Sequence, residues 1–527
     1  MNINSNSKVG SFLNAIENKT NFFVHHIIFS LLILGTVAIF LRIYFVPNIP
    51  LTQDAIAYFQ YANDVIVLHN LPSSFSYLEM GWPVFLSLFF SIFQFDNFMD
   101  YMFLQRLVTI SISVATIIPI YLLSTRIFES KSYSLVCAAL FVFEPHIIRN
   151  SLQGLSEPLF IFLGTTTLFL FLSPNKKMVY ASFGIAALFT IVRSQGIILF
   201  LIISIIFFVH YRKEQKVILS YLLAATVFFS ILLPFMILRT QVDGSDVLTG
   251  HVTGAISNVI INQNTRNENL FDVIIKGTEV FGKRLLQSMI PYFVLFVPFG
   301  GLLIFQNRNR NNISIMLTIG ISFVFSIYVF WASSDIRHIF WLYPLFAILS
   351  VFAIKKIAEH INNHNTFLIL LICGTILLSW FFLYANDINI EHENEAVKLA
   401  YYLADNTKVI NHYLPESGYL AISPLATINN FPILHSSIPP TVPRALEVNA
   451  NSMKEFIKNG RMEGLTHLVT DGNSNRPLFL QESFYDEKKY PYLIKVFDSR
   501  EHDYKYYVKV YKIDYDKFDS ITNNNER

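Results

Sequence analysis

Gly81-Trp-Pro-Val-Phe-Leu-Ser-Leu-Phe-Phe-Ser-Ile-Phe-Gln-Phe95 is the stretch on which the reading of the chain turns. From Trp82 to Phe95 it runs for fourteen mainly apolar residues after a Gly-Trp-Pro opening. A helix that crosses a bilayer needs roughly 20 residues, and apolar runs of about 10–14 are more often re-entrant or interfacial. Lys and Arg decide between the two, because cytoplasmic loops collect them. If Trp82–Phe95 does not cross and the N-terminus is cytoplasmic, Lys8, Lys19, Arg126, Lys131, Lys176, Lys177, Arg212, Lys213, Lys216, Arg308, Arg310, Lys355 and Lys356 all fall inside. If it crosses, every later cluster falls outside. The non-spanning reading obeys the rule throughout and is adopted.

Working outward, the apolar runs Val24–Val46, Phe103–Thr125, Ser132–Ile148, Leu159–Leu172, Val179–Val192, Gly196–Val209, Val217–Leu238, Arg284–Phe305, Ile313–Trp331, Phe340–Ile354 and Phe367–Tyr384 read as about eleven transmembrane helices. The first is too long for a signal-peptide core and has no small-residue cleavage site, so it reads as a retained span. The composition agrees: 53% of the 527 residues are hydrophobic and 14% charged, against about 25% charged in soluble domains. A net charge of +2 argues against nucleic acid as a partner. Cys137 and Cys373 both lie inside apolar runs, which argues against a structural disulfide.

The predicted fold is therefore an α-helical polytopic membrane protein with a small external C-terminal α/β domain. Residues 1–23 form a cytoplasmic N-terminus and 24–384 the membrane domain. Within the latter, 47–102 form a first outer loop with membrane-surface helices, and a second long outer loop runs from Arg239 to about Lys283. Residues 385–515 form the external domain and 516–527 a frayed tail. Within the external domain a helix is expected near Glu391–Ala404, and strands at Tyr419–Ser423, His467–Thr470, Tyr492–Phe497 and Tyr506–Ile513. Asn-x-Ser/Thr acceptors occur only at Asn18 and Asn312, both predicted inside, and this tilts the reading towards a prokaryotic cell membrane.

Ionisable groups at membrane depth are costly and are functional candidates by default. Asp54, Tyr58 and Tyr61 follow i, i+4, i+7 spacing and share one helix face. Glu79 precedes the Gly-Trp-Pro turn. Glu144, His146 and Arg149 end the third span, Glu157 begins the fourth, and Arg193 sits in Arg-Ser-Gln-Gly. Asp335, Arg337 and His338 precede the tenth span, where Asp335 suits an N-cap. Asp54 and Glu157 read as isolated carboxylates on the same side as these cations. A carboxylate could take a proton from a hydroxyl nucleophile while Arg holds a phosphate leaving group. Arg106, near the start of a span, suits either snorkelling or substrate binding. Asp64 and His69 read as a solvated face, and the lone His251 is given no role.

The series Gln53-Asp54-Ala55-Ile56-Ala57-Tyr58, Gly81-Trp82-Pro83, Arg106-Leu107, Glu144-Pro145-His146, Ser156-Glu157-Pro158-Leu159-Phe160, Arg193-Ser194-Gln195-Gly196, Arg337-His338 and Tyr343-Pro344 resembles the GT-C superfamily of polyprenyl-phosphate-sugar glycosyltransferases. Its nearest branch is the protein O-mannosyltransferase and aminoarabinose-transferase group, and the resemblance covers about Val24 to Ile354. It implies an inverting hexosyl transfer from a dolichyl or undecaprenyl phosphate to a protein, glycan or lipid acceptor on the outer face. Asp54 maps to the base, Glu157 to a residue that orients the acceptor or ligates a metal, and Arg337 to a phosphate ligand. Tyr58, Glu79, Arg106, His146, Arg193 and His338 are the further substrate-binding candidates. No cofactor is expected; Mg²⁺ or Mn²⁺, if used, would sit on Asp54 and Glu157. The sequence departs from the family in having Gln53 where a second acid often precedes the aspartate. It also has no Asp-x-Glu in the second outer loop, which counts against the oligosaccharyltransferase branch. The rival classes are a multi-pass transporter or flippase, against which the lack of internal symmetry counts, and a non-catalytic scaffold.

Overall fold

Inside a bilayer every backbone N–H and C=O must be paired within the protein, so a chain this apolar folds as helices. The computed structural model describes residues 27–51, 54–72, 79–95, 98–244, 270–386, 409–411, 444–446, 450–474, 476–505 and 507–524, with 395, 398, 399, 402 and 406 between. In chain order its helices are α1 (Ile27–Tyr44), α2 (Asp54–Leu68), α3 (Gly81–Ile92), α4 (Phe98–Ala115), α5 (Ile117–Thr125), α6 (Lys131–Val142), α7 (Pro145–Ser151), α8 (Glu157–Phe171), α9 (Lys176–Val192) and α10 (Ile197–Tyr211). There follow α11 (Val217–Asp243), α12 (Leu270–Met289), α13 (Phe293–Ile304), α14 (Arg310–Ala332), α15 (Tyr343–Ala358) and α16 (His364–Ala385). Short 3₁₀ turns at Ser194–Gly196 and Ile336–Leu342 lead into α10 and α15.

Among the described residues seven helices are long and apolar enough to cross a membrane, or nine when two bent pairs each count as one span. The protein is an integral membrane protein. Outward-facing Ile28, Leu32 and Phe40 on α1 and Ile218, Leu222 and Leu233 on α11 supply the lipid surface. Each of the eleven expected runs overlaps a helix, but α8 and α9 have only 15 and 17 residues. α3 has 12 residues and does not meet the length of a span.

Two expectations fail in shape. Ser132–Ile148 is broken between α6 and α7, which meet at 55°. Arg284–Phe305 is not a single straight span, because α12 and α13 meet at 109°. Pro291 sits at the break, where its missing N–H and its ring interrupt a helical ladder. α12 also begins well before Arg284, so the expected loop from Arg239 to Lys283 is helical at both ends. Asp272, Lys276, Glu279 and Lys283 on α12 hide it from a hydropathy window.

The chain divides into two units. One comprises the described residues within 1–46, 75–86 and 105–387; the other those within 47–74, 87–104 and 388–527. In the first, α1 carries Arg42, which is fully buried. Its guanidinium donates to Ser151 Oγ (3.1 Å), Ser113 Oγ (3.1 Å) and the carbonyls of Ala38 and Val142. The bend between α6 and α7 is fixed by Glu144, whose side chain accepts from the Ile147 N–H at 2.8 Å as an N-cap, with Pro145 following. α13 and α15 approach so closely that a Cβ on Gly300 would collide with the Leu349 carbonyl oxygen.

In the second unit a five-stranded sheet has the order β2-β1-β3-β5-β4, with β1 (Val409–Asn411), β2 (Arg444–Leu446), β3 (His467–Thr470), β4 (Leu493–Asp498) and β5 (Lys509–Ile513). β1 runs parallel to β2 and β3, and β5 antiparallel to β3 and β4. Three of the expected strands are found; Tyr419–Ser423 and most of Glu391–Ala404 lie outside the described residues. Helices α17 (Met453–Met462) and α18 (Leu478–Tyr485) cover the sheet with Phe456, Ile457, Phe479 and Leu480. The expected frayed tail is instead a helix, α19 (Tyr515–Asn524), anchored by Phe518, which is buried in the same apolar core. Lys509 is buried as well; it donates to Glu487 Oε1 at 2.6 Å and to the Phe484 carbonyl, and holds the Glu487 carboxyl below the usual range.

Neighbouring glycines give a matched test of the α13–α15 contact. Gly300→Ala is expected to lower the thermal midpoint of the purified chain, at a cost of about 1–3 kcal/mol for overpacking. Gly301→Ala, which meets open space, should leave the midpoint unchanged or raise it slightly. Equal midpoints for the two would rule out the close approach.

Candidate functional site

In the first unit the ends of several helices converge. α9 ends at Val192, and Arg193 has extended backbone (φ −149°, ψ 129°) before the 3₁₀ turn. The turn closes tightly because Gly196 lies against the backbone of Thr190; a Cβ there would sit 2.7 Å from the Thr190 nitrogen. Gly81 plays the same part on the other side, since its Cβ would lie 2.5 Å from the Ile191 carbonyl oxygen. This brings the start of α3, with Glu79 just before it, against the end of α9. Ser194 Oγ then donates to Glu79 Oε1 at 3.1 Å.

Glu157 opens α8 with Pro158 behind it, a position where the helix dipole favours a carboxylate. Its side chain is 2% exposed. Arg193 donates to Glu157 Oε1, and the Arg337 guanidinium lies 3.8 Å from the same oxygen. Arg193 also stands over the Phe160 ring at 5.9 Å, and that ring stacks on Phe189 at 3.7 Å. Arg337 is steered from its other side. Asp335 N-caps the 3₁₀ turn by accepting from the Arg337 N–H at 2.9 Å, and its Oδ2 lies 2.6 Å from the Arg337 guanidinium nitrogens. Burial works to raise the Asp335 pKa, but the Arg337 side-chain and backbone hydrogen bonds outweigh it and hold the carboxyl below its ordinary range. His338 is fixed by Gln195 Nε2 at Nδ1 (2.8 Å) and by Ser333 Oγ at Nε2 (3.2 Å). With the amide donating to Nδ1, the ring is neutral and donates from Nε2.

The acid at the centre is sealed, whereas the Arg193 and Arg337 side chains are 14% and 24% exposed. Glu157 therefore gathers two guanidinium side chains that keep partial solvent exposure. Such a pair suits a phosphate, whose oxygens match the guanidinium fork. Among the described residues no group of three or more His, Cys, Asp or Glu could hold a metal ion.

Of the sequence candidates, the structure brings together Glu79, Glu157, Arg193, Arg337 and His338. Glu157 is not the isolated carboxylate expected from the sequence, because both arginines reach it. His146 is not drawn into this group. It bonds the Ile290 carbonyl at 3.1 Å and packs beside Phe382. Arg106 is 4% exposed and donates to the Leu152 carbonyl at 3.0 Å, so it does not snorkel. In the second unit Asp54 begins α2 and is half-buried, with Tyr58 and Tyr61 buried further along the same helix. Asp64 is fully buried, against the solvated face expected for it; His69 is exposed as expected. Gln53 and His251 lie outside the described residues. Sequence reasoning gave no role to Gln195, Ser194 or Arg42. An arginine inside an apolar run was the available signal for Arg42.

No family model matches the sequence, and no curated protein is similar to it. Solved structures do share its fold. The oligosaccharyltransferase of Archaeoglobus fulgidus, in complex with Zn and sulfate, aligns with a TM-score of 0.58 at 14% identity, over 88% of this chain and 71% of that one. The archaeal oligosaccharyltransferase AglB from Archaeoglobus fulgidus, with an inhibitory peptide and a dolichol-phosphate, gives 0.58 at 12% identity, over 88% and 72%. ArnT from Cupriavidus metallidurans, bound to undecaprenyl phosphate, gives 0.57 at 10% identity, over 91% of this chain and 97% of that one. These are GT-C glycosyltransferases, and the present chain has the GT-C fold.

The ion pair makes a thermodynamic prediction. Removing one partner of a buried pair costs about 3–5 kcal/mol. Glu157→Ala should destabilise the purified chain to that order, and Glu157→Ala combined with Arg193→Ala should cost clearly less than the sum of the single changes. Additive losses in thermal unfolding would show that the two side chains do not interact.

Proposed function

We propose that this chain is an inverting membrane glycosyltransferase that moves a sugar from a polyprenyl phosphate to an acceptor hydroxyl or similar group. The observation that carries the reading is a buried Glu157 holding Arg193 and Arg337 at converging helix ends of a GT-C fold. In the reaction an acceptor oxygen attacks the anomeric carbon from the face opposite the phosphate. A new C1–O bond forms as the C1–O–phosphate bond breaks, and the leaving polyprenyl phosphate keeps the electron pair. Its growing negative charge is met by Arg337 and Arg193, a preorganised electrostatic contribution. Glu157 positions the two guanidiniums and does not itself take a proton. We assign the base to Asp54, which accepts the acceptor's proton. Tyr58, on the same helix, and Glu79 and His338 are assigned to substrate binding.

A lipid-linked donor needs no nucleotide site, and the sequence has no Gly-rich phosphate loop beside a strand. The solved relatives were captured with dolichol-phosphate and with undecaprenyl phosphate, and this supports the donor class. AglB's bound inhibitory peptide supports a protein among the candidate acceptors, beside glycan and lipid. The cationic loops between spans favour a cytoplasmic N-terminus and an external C-terminal domain in a prokaryotic cell membrane. Mg²⁺ or Mn²⁺ on Asp54 and Glu157 is disfavoured, since two arginines already stand at Glu157 Oε1.

The test is transfer from labelled polyprenyl-phosphate sugars by purified protein. Asp54→Asn should lower kcat by about 10²–10⁴ with the fold retained, and Arg337→Lys should raise KM for the donor, because an ammonium cannot reproduce the fork. EDTA should leave the rate unchanged. Full activity in Asp54→Asn would remove the base assignment, and uptake or flipping of the donor without transfer would replace the enzyme by a transporter.

A further inference from the structure

A cavity of about 610 Å³ opens in the first unit at the far end of α14 and α15 from the Glu157 cluster. α14 runs from Arg310 beside the cavity to Ala332 next to Ser333, and 23 helical residues at about 1.5 Å each put the two sites roughly 35 Å apart. Its walls come from the turn after α5, the turn before α14 and the last turn of α15. The volume falls in the range of roughly 300–1,000 Å³ that small-molecule pockets occupy, and is far larger than a single ion needs.

The lining is chemically mixed. Arg308 and Lys355 supply two cations against the single carboxylate of Glu129. Phe128 and Phe352 are buried, with ring centroids 4.9 Å apart and planes tilted by 55°, and form an apolar wall. Asn312 contributes an unsatisfied group. It is 2% exposed, its Nδ2 donates to the Asn307 carbonyl at 2.6 Å and its backbone N–H donates to Asn309 Oδ1 at 2.8 Å. Its Oδ1 is buried and has no partner among the described residues. A buried acceptor left unmade is costly, so such groups are ordinarily matched by a donor.

We propose that this cavity binds a phosphate ester that carries a free hydroxyl. The phosphate answers Arg308 and Lys355, the hydroxyl donates to Asn312 Oδ1, and any carbon stem lies along Phe128 and Phe352. The phosphoglycerol headgroup of a membrane lipid and a soluble glycerol phosphate share this chemistry. Basic pockets at the ends of membrane helices are suited to lipid headgroups of this kind.

The test uses the delipidated full-length chain in a neutral detergent, with thermal unfolding as the readout. Added phosphatidylglycerol should raise the midpoint by several degrees, phosphatidylmethanol (the same charge without the hydroxyl) by less, and phosphatidylcholine not at all. Arg308→Ala and Lys355→Ala, both exposed positions, should abolish the shift. Asn312→Leu should make phosphatidylglycerol and phosphatidylmethanol equivalent. Lys131→Ala and Lys177→Ala, exposed cations outside the lining, should keep the full response. Glycerol 1-phosphate separates the sources: an equal shift identifies a soluble ligand, and no shift identifies the lipid headgroup. The proposal is overturned if no additive shifts the wild type, if the shift survives in Arg308→Ala and Lys355→Ala, or if Lys131→Ala loses it equally. Should Asn312→Leu fail to fold, the two cation variants still decide the matter.

Discussion

A carboxylate taken out of water needs partners, and Oε1 of Glu157 finds them in two guanidiniums drawn from distant parts of the sequence. The consequence is structural before it is chemical. Arg193 follows the last turn of α9, Arg337 belongs to the 3₁₀ turn before α15, and Glu157 is the first residue of α8. One buried oxygen thus fixes three segment ends, and the interruptions that release Arg193 and Arg337 from regular α-helix are what allow them to reach it. The arginines in turn keep solvent access that the acid lacks, and this division of exposure suits them to an anionic partner.

Around this centre, buried polar groups of the first unit are held by partners drawn from neighbouring segments. Arg42 spends its donors on two serines and two carbonyls. Glu144 caps α7. Gln195 and Ser333 share the His338 ring. Glycine supplies the remaining precision, at Gly196 and Gly81 where backbone meets backbone around the end of α9. The same bundle is polarised along its length. The ion pairs of the candidate site lie at one end of α14 and α15, and Arg308, Arg310, Lys355 and Lys356 at the other.

Much of this was legible in the sequence, and the exceptions have physical causes. Long apolar runs such as Val217–Leu238 declare themselves, and Trp82–Phe95 forms the twelve-residue α3, as short as its apolar run suggested. α12 was hidden because it is amphipathic, and hydropathy averaging cannot see a helix whose charges share the window with its apolar face. The frayed-tail reading failed because Tyr515, Phe518 and Ile521 dock α19 on the domain core, too short an apolar pattern in a polar run to declare a helix. Glu157, Arg193 and Arg337 were each picked out as expensive residues at membrane depth. Their mutual contact was not readable, since nothing local to Glu157 announces a partner near residue 337. Asp64 was misjudged because its position in the chain looked like a solvated helix face, whereas tertiary burial closes over it.

The central claim is that the chain breaks the sugar–oxygen bond of a polyprenyl-phosphate sugar. The most direct measurement supplies purified full-length protein with a donor carrying ¹⁸O at the bridge between C1 and phosphorus, and follows the label by mass spectrometry. The account predicts that all the label leaves with the polyprenyl phosphate while unlabelled acceptor oxygen joins C1. Label retained on the transferred sugar would show cleavage at phosphorus and contradict it, as would donor recovered intact after every acceptor class has been supplied.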